Sequence, residues 1–385
     1  MRMVESRASK RGRKECSRGI GKATMEDEIW KDFPEDLFES VIARFPISTF
    51  FRFRPVCRRW NSLLSCQSFS QQCAQVKHAE PWFYGITFEN GRDERAMFDP
   101  SLSKWHYPAE PAMPAKPILV PVASSGGLVC LVDIDHTCFY MCNPLTRSFR
   151  ELPSKSMINA KHDWKLEAIG MITRNGGYKI LWAGSMGDYQ VFDSANNSWS
   201  SPGRMPESIT LPLGLQFISS RAVAVEGTLY FMRSDPYGLL SYEVESGIWG
   251  ECAIPNPPHL VIGEHSLAES GGRIMLVGLQ TENRATCVCV WELQKMTMLW
   301  KEVDRMPNIW CLGFYGRDVD MVCMGNKSLL MLSLKSLETN WLFSYDLSSR
   351  EWNKLPGRVQ QHSRTGKTLW IAQGTAFHPC LAAIP

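Results

Sequence analysis

Aromatic residues recur at regular intervals along most of the chain. Each copy has an apolar stretch that ends in an acidic residue or Asn, followed by a turn, an aromatic residue and a Pro. The aromatic residues stand at positions 105, 149, 199, 249, 300 and 352, so successive copies are 44, 50, 50, 51 and 52 residues apart. Such regular intervals indicate one supersecondary unit used repeatedly.

Short apolar stretches bounded by Gly, Pro, Asn and Ser lie between these turns and predict β-strands. A period near 50 with about four strands per unit is typical of β-propeller blades. Six copies predict six blades over residues 78–385. The stretch 368–384 has strand-like sequence but no anchor of its own. We therefore expect the C-terminal strands to complete the first blade and close the ring.

The repeat also predicts which residues form the turns of the blades and pack neighbouring blades together. We assign the Asp or Asn as a turn former that binds its own backbone, and the aromatic residue as a side chain packed between blades. The spacing between them is six residues in five copies, but eight in the fifth, from Glu292 to Trp300. The predicted blade-packing anchors are Asp99, Trp105, Asn143, Phe149, Asp193, Trp199, Trp249, Trp300, Asp346 and Trp352.

Residues 29–77 have a different pattern, with apolar residues at helical spacing. Pro34 suits the first turn of a helix, and Pro46 is expected to end it. About 45 residues bury too small a core to be stable alone. The many large apolar residues therefore predict a helical module that docks on another chain.

Ten residues of this module have a characteristic order and spacing: Phe33, Pro34, Leu37, Ile42, Phe45, Pro46, Val56, Cys57, Arg58 and Trp60. They resemble the F-box motif over its whole length, although Phe33 stands where that family most often has Leu. The resemblance implies that these residues bind a Skp-type adaptor, or hold the helices that do. It also implies an indirect contact with the cullin scaffold of an SCF ubiquitin ligase.

Double glycines at Gly126-Gly127 and Gly271-Gly272 resemble the kelch signature, and two later blades lack a double glycine, which indicates divergent repeats. The whole chain resembles the plant F-box/kelch-repeat proteins. This implies a small all-α F-box module followed by an all-β six-bladed kelch-type β-propeller. It further implies regulated proteolysis in the nucleus or cytoplasm, with the propeller binding an unidentified target protein.

The charge is unevenly distributed. Residues 1–24 contain eight Lys or Arg and two Glu, whereas the rest of the chain has a net charge of −3. For the basic tail, residues 1–28, we favour a disordered solvated leader over a nuclear-localisation segment or a weak nucleic-acid contact. We expect no nucleic acid on the folded body.

Apolar runs such as 274–279 are far shorter than the roughly 18 residues that span a bilayer, so we expect no membrane contact. No apolar stretch follows the basic residues before Ile29, which predicts no export and a reducing compartment. The 13 cysteines include no C-x-x-C pair. A possible ligand group, Cys130, His136, Cys138 and Cys142, is better explained by core packing, and we expect no metal there.

Common enzyme motifs are absent, including Walker, G-x-S-x-G and H-E-x-x-H sequences. We therefore expect a non-catalytic subunit without a cofactor. One alternative is a metal-dependent propeller enzyme of the kelch-like oxidase type, with Tyr, Cys and His ligands near the axis. Another is a scaffold that binds the adaptor without ubiquitylation. Loops around Ser234–Tyr237, Asn308–Trp310 and Tyr315–Arg317 are candidate target-binding segments.

Overall fold

The structure is a computed structural model that describes residues 34–76, 81–89, 92–107, 118–133, 138–156, 168–174, 176–184, 187–207, 209, 220–234, 237–326, 328–337, 339–359, 368–369, 371 and 373–385. The predicted basic tail, residues 1–28, and Phe33 lie outside these ranges. None of the helices within them is long and apolar enough to cross a membrane.

Four short helices form the N-terminal module within residues 34–76. They are α1 (Glu35–Ala43), α2 (Ile47–Phe53), α3 (Arg58–Ser62) and α4 (Gln67–Gln75). Pro34 and Pro46 directly precede α1 and α2, where a residue without an N–H leaves no donor unpaired. The core of the module contains Ile42, Ala43, Phe50, Leu63, Phe69 and Cys73.

Six sheets follow, and each is a blade whose main strands pair antiparallel. The first three blades, from the inner strand outward, are β28 (Gln373–Phe377), β1 (Trp82–Glu89), β2 (Arg92–Asp99), β3 (Lys104–His106); β4 (Leu119–Ser125), β5 (Leu128–Asp133), β6 (Phe139–Asn143), β7 (Ser148–Glu151); and β8 (Ala168–Arg174), β9 (Gly177–Ala183), β10 (Asp188–Asp193), β11 (Ser198–Trp199). In blade 3, β12 (Gly203–Arg204) also pairs with β10, and β13 (Ser220–Arg221) runs parallel to β8.

The last three blades have four strands each. They are β14 (Val223–Val225), β15 (Thr228–Ser234), β16 (Tyr237–Glu243), β17 (Ile248–Ala253); β18 (Leu260–Ser270), β19 (Arg273–Glu282), β20 (Ala285–Gln294), β21 (Leu299–Arg305); and β22 (Asp320–Asn326), β23 (Leu329–Lys335), β24 (Asn340–Asp346), β25 (Glu351–Lys354). A separate pair, β26 (Arg358–Val359) and β27 (Thr368–Leu369), lies between blade 6 and β28 in the chain.

The blades form a closed ring. Each inner strand contacts the next one, in the order β28, β4, β8, β14, β18, β22 and back to β28. Strand β28 comes from the C-terminus and pairs antiparallel with β1, so that Phe83 lies opposite Ala376. The predicted six-bladed β-propeller is confirmed.

The ring has two faces because successive strands of a blade alternate in direction. Turns between the first and second strands, and between the third and fourth, lie on one face. We call it the module face, because the N-terminal module attaches there. It also carries Phe377 and Trp82, which are paired at one end of β28 and β1. The turns between the second and third strands and the links to the next blade lie on the other face, the loop face.

Burial along the strands follows from this arrangement. A blade is covered on both sides by its neighbours, and every residue of β5 is buried. Toward the outside, β10 alternates between buried and half-buried residues. At the turn from β4 to β5, Gly126 and Gly127 have φ of 57° and 86°, a conformation that favours glycine.

Candidate functional site

An exposed apolar surface lies on the N-terminal module. Leu37 and Val41 stand one turn apart on α1, with 50% and 47% of their surface exposed. Val56, in the 3₁₀ turn after α2, is 68% exposed, and Phe53 is also exposed. We call these exposed apolar residues, Pro34, Leu37, Val41, Phe53 and Val56, the docking surface, because exposed apolar surface of this kind marks an interaction site.

An aromatic cluster supports this surface. The ring of Trp60 lies 5.9 Å from Phe38, 6.1 Å from Phe45 and 6.0 Å from Phe53, between ring centres. The guanidinium of Arg59 stands 4.2 Å above the Phe38 ring. Trp60 on α3 therefore ties its helix to both α1 and α2.

Nine of the ten residues predicted to bind an adaptor are described. Six are exposed: Pro34, Leu37, Pro46, Val56, Cys57 and Arg58. Phe45 and Trp60 are half-buried in the aromatic cluster, whereas Ile42 is 2% exposed and packs inside the module. Val41 and Phe53 were not predicted as site residues, although Val41 follows Leu37 by four positions on one helix face.

The module attaches to the module face of the ring. Ile47 and Phe51 of α2 join the core of blades 1 and 2, which includes Trp82 and Leu145. Leu381, in the irregular C-terminal segment 378–385, packs against this core and against the helical core. The attachment uses α2 and leaves Leu37 and Val41 of α1 uncovered.

The loop face carries a helical insertion between blades 5 and 6. It consists of α5 (Asn308–Cys311) and a 3₁₀ turn at Leu312–Phe314. Trp310 and Phe314 point inward, each with its ring centre 5.0 Å from an aromatic ring of β24, Phe343 and Trp341 respectively. The backbone N–H of Gly316 donates to the Arg284 carbonyl oxygen at 2.8 Å, which fixes the insertion on blade 5.

The outward side of this insertion is apolar. Ile309, Leu312 and Tyr315 are 73%, 71% and 57% exposed, and Leu337 in the β23–β24 loop is fully exposed. We call these four residues the loop-face patch. Two predicted binding segments, Asn308–Trp310 and Tyr315–Arg317, contribute to it, whereas part of Ser234–Tyr237 lies outside the described residues.

All six inner strands line a cavity of about 230 Å³ in the central channel. Its lining residues are small or apolar apart from Glu269 and His378, and they include Cys323. Ser124 and Thr375 place their hydroxyl oxygens 2.9 Å apart between blades 2 and 1. In the described parts of the chain, no group of three or more His, Cys, Asp or Glu is placed to hold a metal ion.

The cysteines considered as metal ligands lie in blade 2. Cys130 and Cys142 are buried in its apolar core, where burial raises the pKa of the Cys142 thiol to about 12. His136 lies outside the described residues.

Glu264 on β18 links blades 5 and 6. Its carboxylate accepts a hydrogen bond from the backbone N–H of Met321 at 2.6 Å. Burial raises the pKa of Glu264 to about 7, against the opposing effect of this hydrogen bond.

The Asp and Asn anchors shape the turns between third and fourth strands. In each, the side-chain Oδ1 accepts a hydrogen bond from the backbone N–H two residues later. The distances are 3.0 Å at Asp99, 3.0 Å at Asn143, 2.8 Å at Asp193 and 2.7 Å at Asp346.

Two tryptophan anchors bind the preceding blade directly. Trp199 Nε1 donates to the Pro153 carbonyl oxygen at 2.7 Å, and Trp105 Nε1 donates to that of Pro356 at 3.2 Å. The latter bond joins blade 1 to blade 6. Two prolines of the repeat, Pro153 and Pro356, therefore accept a hydrogen bond from the next blade's anchor.

The other aromatic anchors pack without such a bond. Trp249 lies 5.5 Å from Tyr189 of blade 3, between ring centres, and Phe149 stacks on Tyr140 of its own blade at 5.1 Å. Among the described atoms, no hydrogen-bond partner is found for the indole nitrogens of Trp249, Trp300 and Trp352.

The strand register shows that the anchor of the fifth repeat is Gln294 rather than Glu292. Trp300 lies opposite Leu293, so the turn follows Gln294, which precedes Trp300 by six residues as in the other blades. Glu292 instead pairs with Arg273, 3.0 Å away. Gln294 is neither acidic nor Asn, so it does not match the anchor pattern of the other repeats.

Comparisons with known proteins agree with this geometry. A KIB1-4 β-propeller family model matches residues 100–354, and an F-box domain model matches residues 30–71. "F-box only protein 6" of Arabidopsis thaliana is 52% identical over 96% of this chain and 80% of its own length. "Protein UNUSUAL FLORAL ORGANS" of the same plant is 27% identical over 93% of this chain and 86% of its own.

An F-box/kelch-repeat protein of A. thaliana is 24% identical over 86% of this chain and 83% of its own length. Among solved structures, TolB of Acinetobacter baumannii matches with a TM-score of 0.43 and 10% identity, covering 83% of this chain and 71% of its own. The family assignment depends on the sequence matches. The chain belongs to the plant F-box proteins in which a KIB1-4 β-propeller follows the F-box.

Proposed function

We propose that this protein is the substrate-recognition subunit of an SCF-type E3 ubiquitin ligase. Its docking surface binds a Skp-type adaptor, and through it a cullin scaffold. The propeller binds a target protein that is then ubiquitinated and degraded by the proteasome. The protein acts in the nucleus or the cytoplasm.

The observation that carries the proposal is the uncovered apolar face of the F-box helices. Leu37 and Val41 remain about half exposed although the module is packed on the propeller through α2. Exposed apolar side chains favour burial by about 25 cal/mol per Å². A helical adaptor groove is the partner that the F-box family supplies for them.

The target is expected on the loop face, opposite the F-box. The loop-face patch offers exposed Leu, Ile and Tyr side chains, and large apolar and aromatic residues are common anchors of protein interfaces. Binding there keeps the target clear of the adaptor. The chain would then contribute proximity, by raising the effective concentration of target lysines near the charged enzyme.

The metal-dependent oxidase alternative has no supporting observation. The channel lining includes Cys323, Glu269 and His378, but among the described residues no group of three or more His, Cys, Asp or Glu is placed to hold a metal ion. The Glu269 carboxylate accepts the Gly272 N–H at 2.8 Å. We therefore propose that the chain performs no bond chemistry itself.

Two reciprocal variants test the proposal. Pro34→Ala with Leu37→Ala removes apolar groups from the docking surface and should abolish co-purification with a co-expressed Skp-type adaptor. Ile309→Ala with Leu312→Ala changes only the loop face and should retain the adaptor. Adaptor binding by the first variant at wild-type level would contradict the F-box assignment.

The same two double variants also test where the propeller binds its target. Proximity labelling under proteasome block should find the same targets with wild type and with Pro34→Ala/Leu37→Ala, but lose them with Ile309→Ala/Leu312→Ala. Targets that are labelled equally by all three proteins would contradict the role of the loop face. Targets whose lifetime does not depend on the adaptor contact would favour a scaffold without ubiquitylation.

A further inference from the structure

A cavity of about 460 Å³ lies where the F-box module meets the propeller. Its walls come from α2 and from blades 1 and 2, and its apolar lining includes Trp82, Met97 and Leu145. Small-molecule sites usually have volumes of about 300–1,000 Å³ and often lie between domains. The cavity therefore has the size and position of a ligand site.

Two aromatic rings line one wall of the cavity. The rings of Trp82 and His106 stack with centres 5.2 Å apart and an angle of 7° between their planes. His106 Nε2 stands 3.8 Å from a carboxylate oxygen of Asp99, which is buried and also accepts a hydrogen bond from the Ser101 hydroxyl. Flat aromatic walls favour planar apolar groups.

The opening of the cavity is positively charged. Arg52 comes from α2, Lys104 from β3 and Arg147 from the β6–β7 turn. All three side chains are exposed, and within the described chain no carboxylate forms an ion pair with any of them. Uncompensated cations around a low-dielectric cavity attract and hold anions.

We propose that this cavity binds an organic anion with a flat apolar body, such as an aromatic carboxylate or sulfonate of two or three rings. The apolar body lies against Trp82 and His106, and the acidic group is held by Lys104 and Arg147. Arg52 approaches from the F-box side. Because the ligand contacts both domains, it would hold the F-box in one position on the propeller.

The test uses the full chain and the probe 8-anilinonaphthalene-1-sulfonate, which has fused rings and a sulfonate. Fluorescence titration should show saturable binding to wild type. Lys104→Glu with Arg147→Glu should weaken that binding at least tenfold, because two attractive charges become repulsive. Absence of saturable wild-type binding, or equal affinity in the double variant, overturns the proposal.

Arg350→Glu is the matched control. Arg350 has the same place in the blade 6 turn as Arg147 has in blade 2, with φ of 59° and 63°, but it does not line the cavity. Its charge reversal should leave probe affinity unchanged. A loss equal to that of the double variant would show unspecific attraction and overturn the proposal.

A second measurement locates the probe and guards against a folding defect. In wild type, the probe should slow hydrogen exchange in residues 48–53 and 102–106, and protection confined to other segments overturns the proposal.

If circular dichroism shows that Lys104→Glu/Arg147→Glu is misfolded, Arg52→Glu on the F-box side replaces it. That variant should also bind at least fivefold more weakly, and wild-type affinity would overturn the proposal. Neither readout depends on adaptor binding.

Discussion

The side-chain amide of Asn143 donates a hydrogen bond to the backbone carbonyl oxygen of Cys380, which lies 237 positions later in the sequence, and the nitrogen and oxygen are 2.8 Å apart. The same nitrogen donates to the Ala383 carbonyl at 2.9 Å. One buried side chain thus shapes a turn of blade 2 and fixes the C-terminal segment that packs against the F-box. An Asp would form the turn equally well but has no N–H to donate when ionised.

Asn143→Asp should therefore destabilise the protein. It removes two buried hydrogen bonds and places a carboxylate beside two carbonyl oxygens, at a cost of about 2–4 kcal/mol in unfolding free energy. Chemical denaturation measures the loss. Asp346→Asn is the control, since Asn retains the oxygen that accepts from Ser348, and it should change stability by less than about 1 kcal/mol. Equal stability of the two variants would contradict this role of Asn143.

Trp199→Phe tests the bond between blades. The variant loses the 2.7 Å hydrogen bond to Pro153 but keeps a ring against Phe139. Trp249→Phe is matched, because that indole nitrogen has no partner among the described atoms. Trp199→Phe should cost about 1 kcal/mol more unfolding free energy than Trp249→Phe. An equal cost would show that anchors act through ring packing alone.

Deleting residues 373–385 should abolish cooperative folding. The deletion removes β28 and so exposes the edge of β1 that pairs with it. It also removes Leu381, which packs against both the propeller core and the helical core. We expect aggregation during expression, or loss of a single thermal transition in calorimetry. Ile384→Ser, at a residue 79% exposed, should melt like wild type. A soluble truncated protein with one sharp transition would contradict ring closure by β28.

Glu264 should make stability depend on pH. Its pKa is raised from 4.5 to about 7 by burial, so the folded protein holds this proton more tightly than the unfolded chain does. This contribution is fully present below about pH 4.5 and is lost as pH rises through about 7. Glu264→Gln keeps an acceptor for Met321, so it should stabilise the protein at pH 8 but not at pH 4.5.

The expected gain from Glu264→Gln at pH 8 is about 1 kcal/mol, because partial exposure screens the charge. Urea denaturation of both proteins at pH 4.5 and pH 8 measures it. The same pH dependence in both proteins would show that Glu264 does not ionise in this range.

Local patterns were sufficient to predict the architecture. The Asp or Asn followed by an aromatic residue forms a turn within one hairpin, so its spacing reports the blade period without long-range information. The stop of α1 before Pro46 is equally local, since a proline cannot continue a helix. These signals predicted both the six blades and the helical module.

The order of the modules, the number of blades and the turns that join their strands could therefore be predicted from local residue patterns, because each depends on residues within a few positions. Which side chains are exposed for binding follows from how the elements pack. Val56 is exposed and Ile42 is buried, although both are apolar residues of the same motif, and Gln294 replaces an acidic anchor. The cavity charges of Arg52, Lys104 and Arg147 meet only after the F-box packs on the ring. Exposure and convergence depend on contacts between distant segments, which no local spacing encodes.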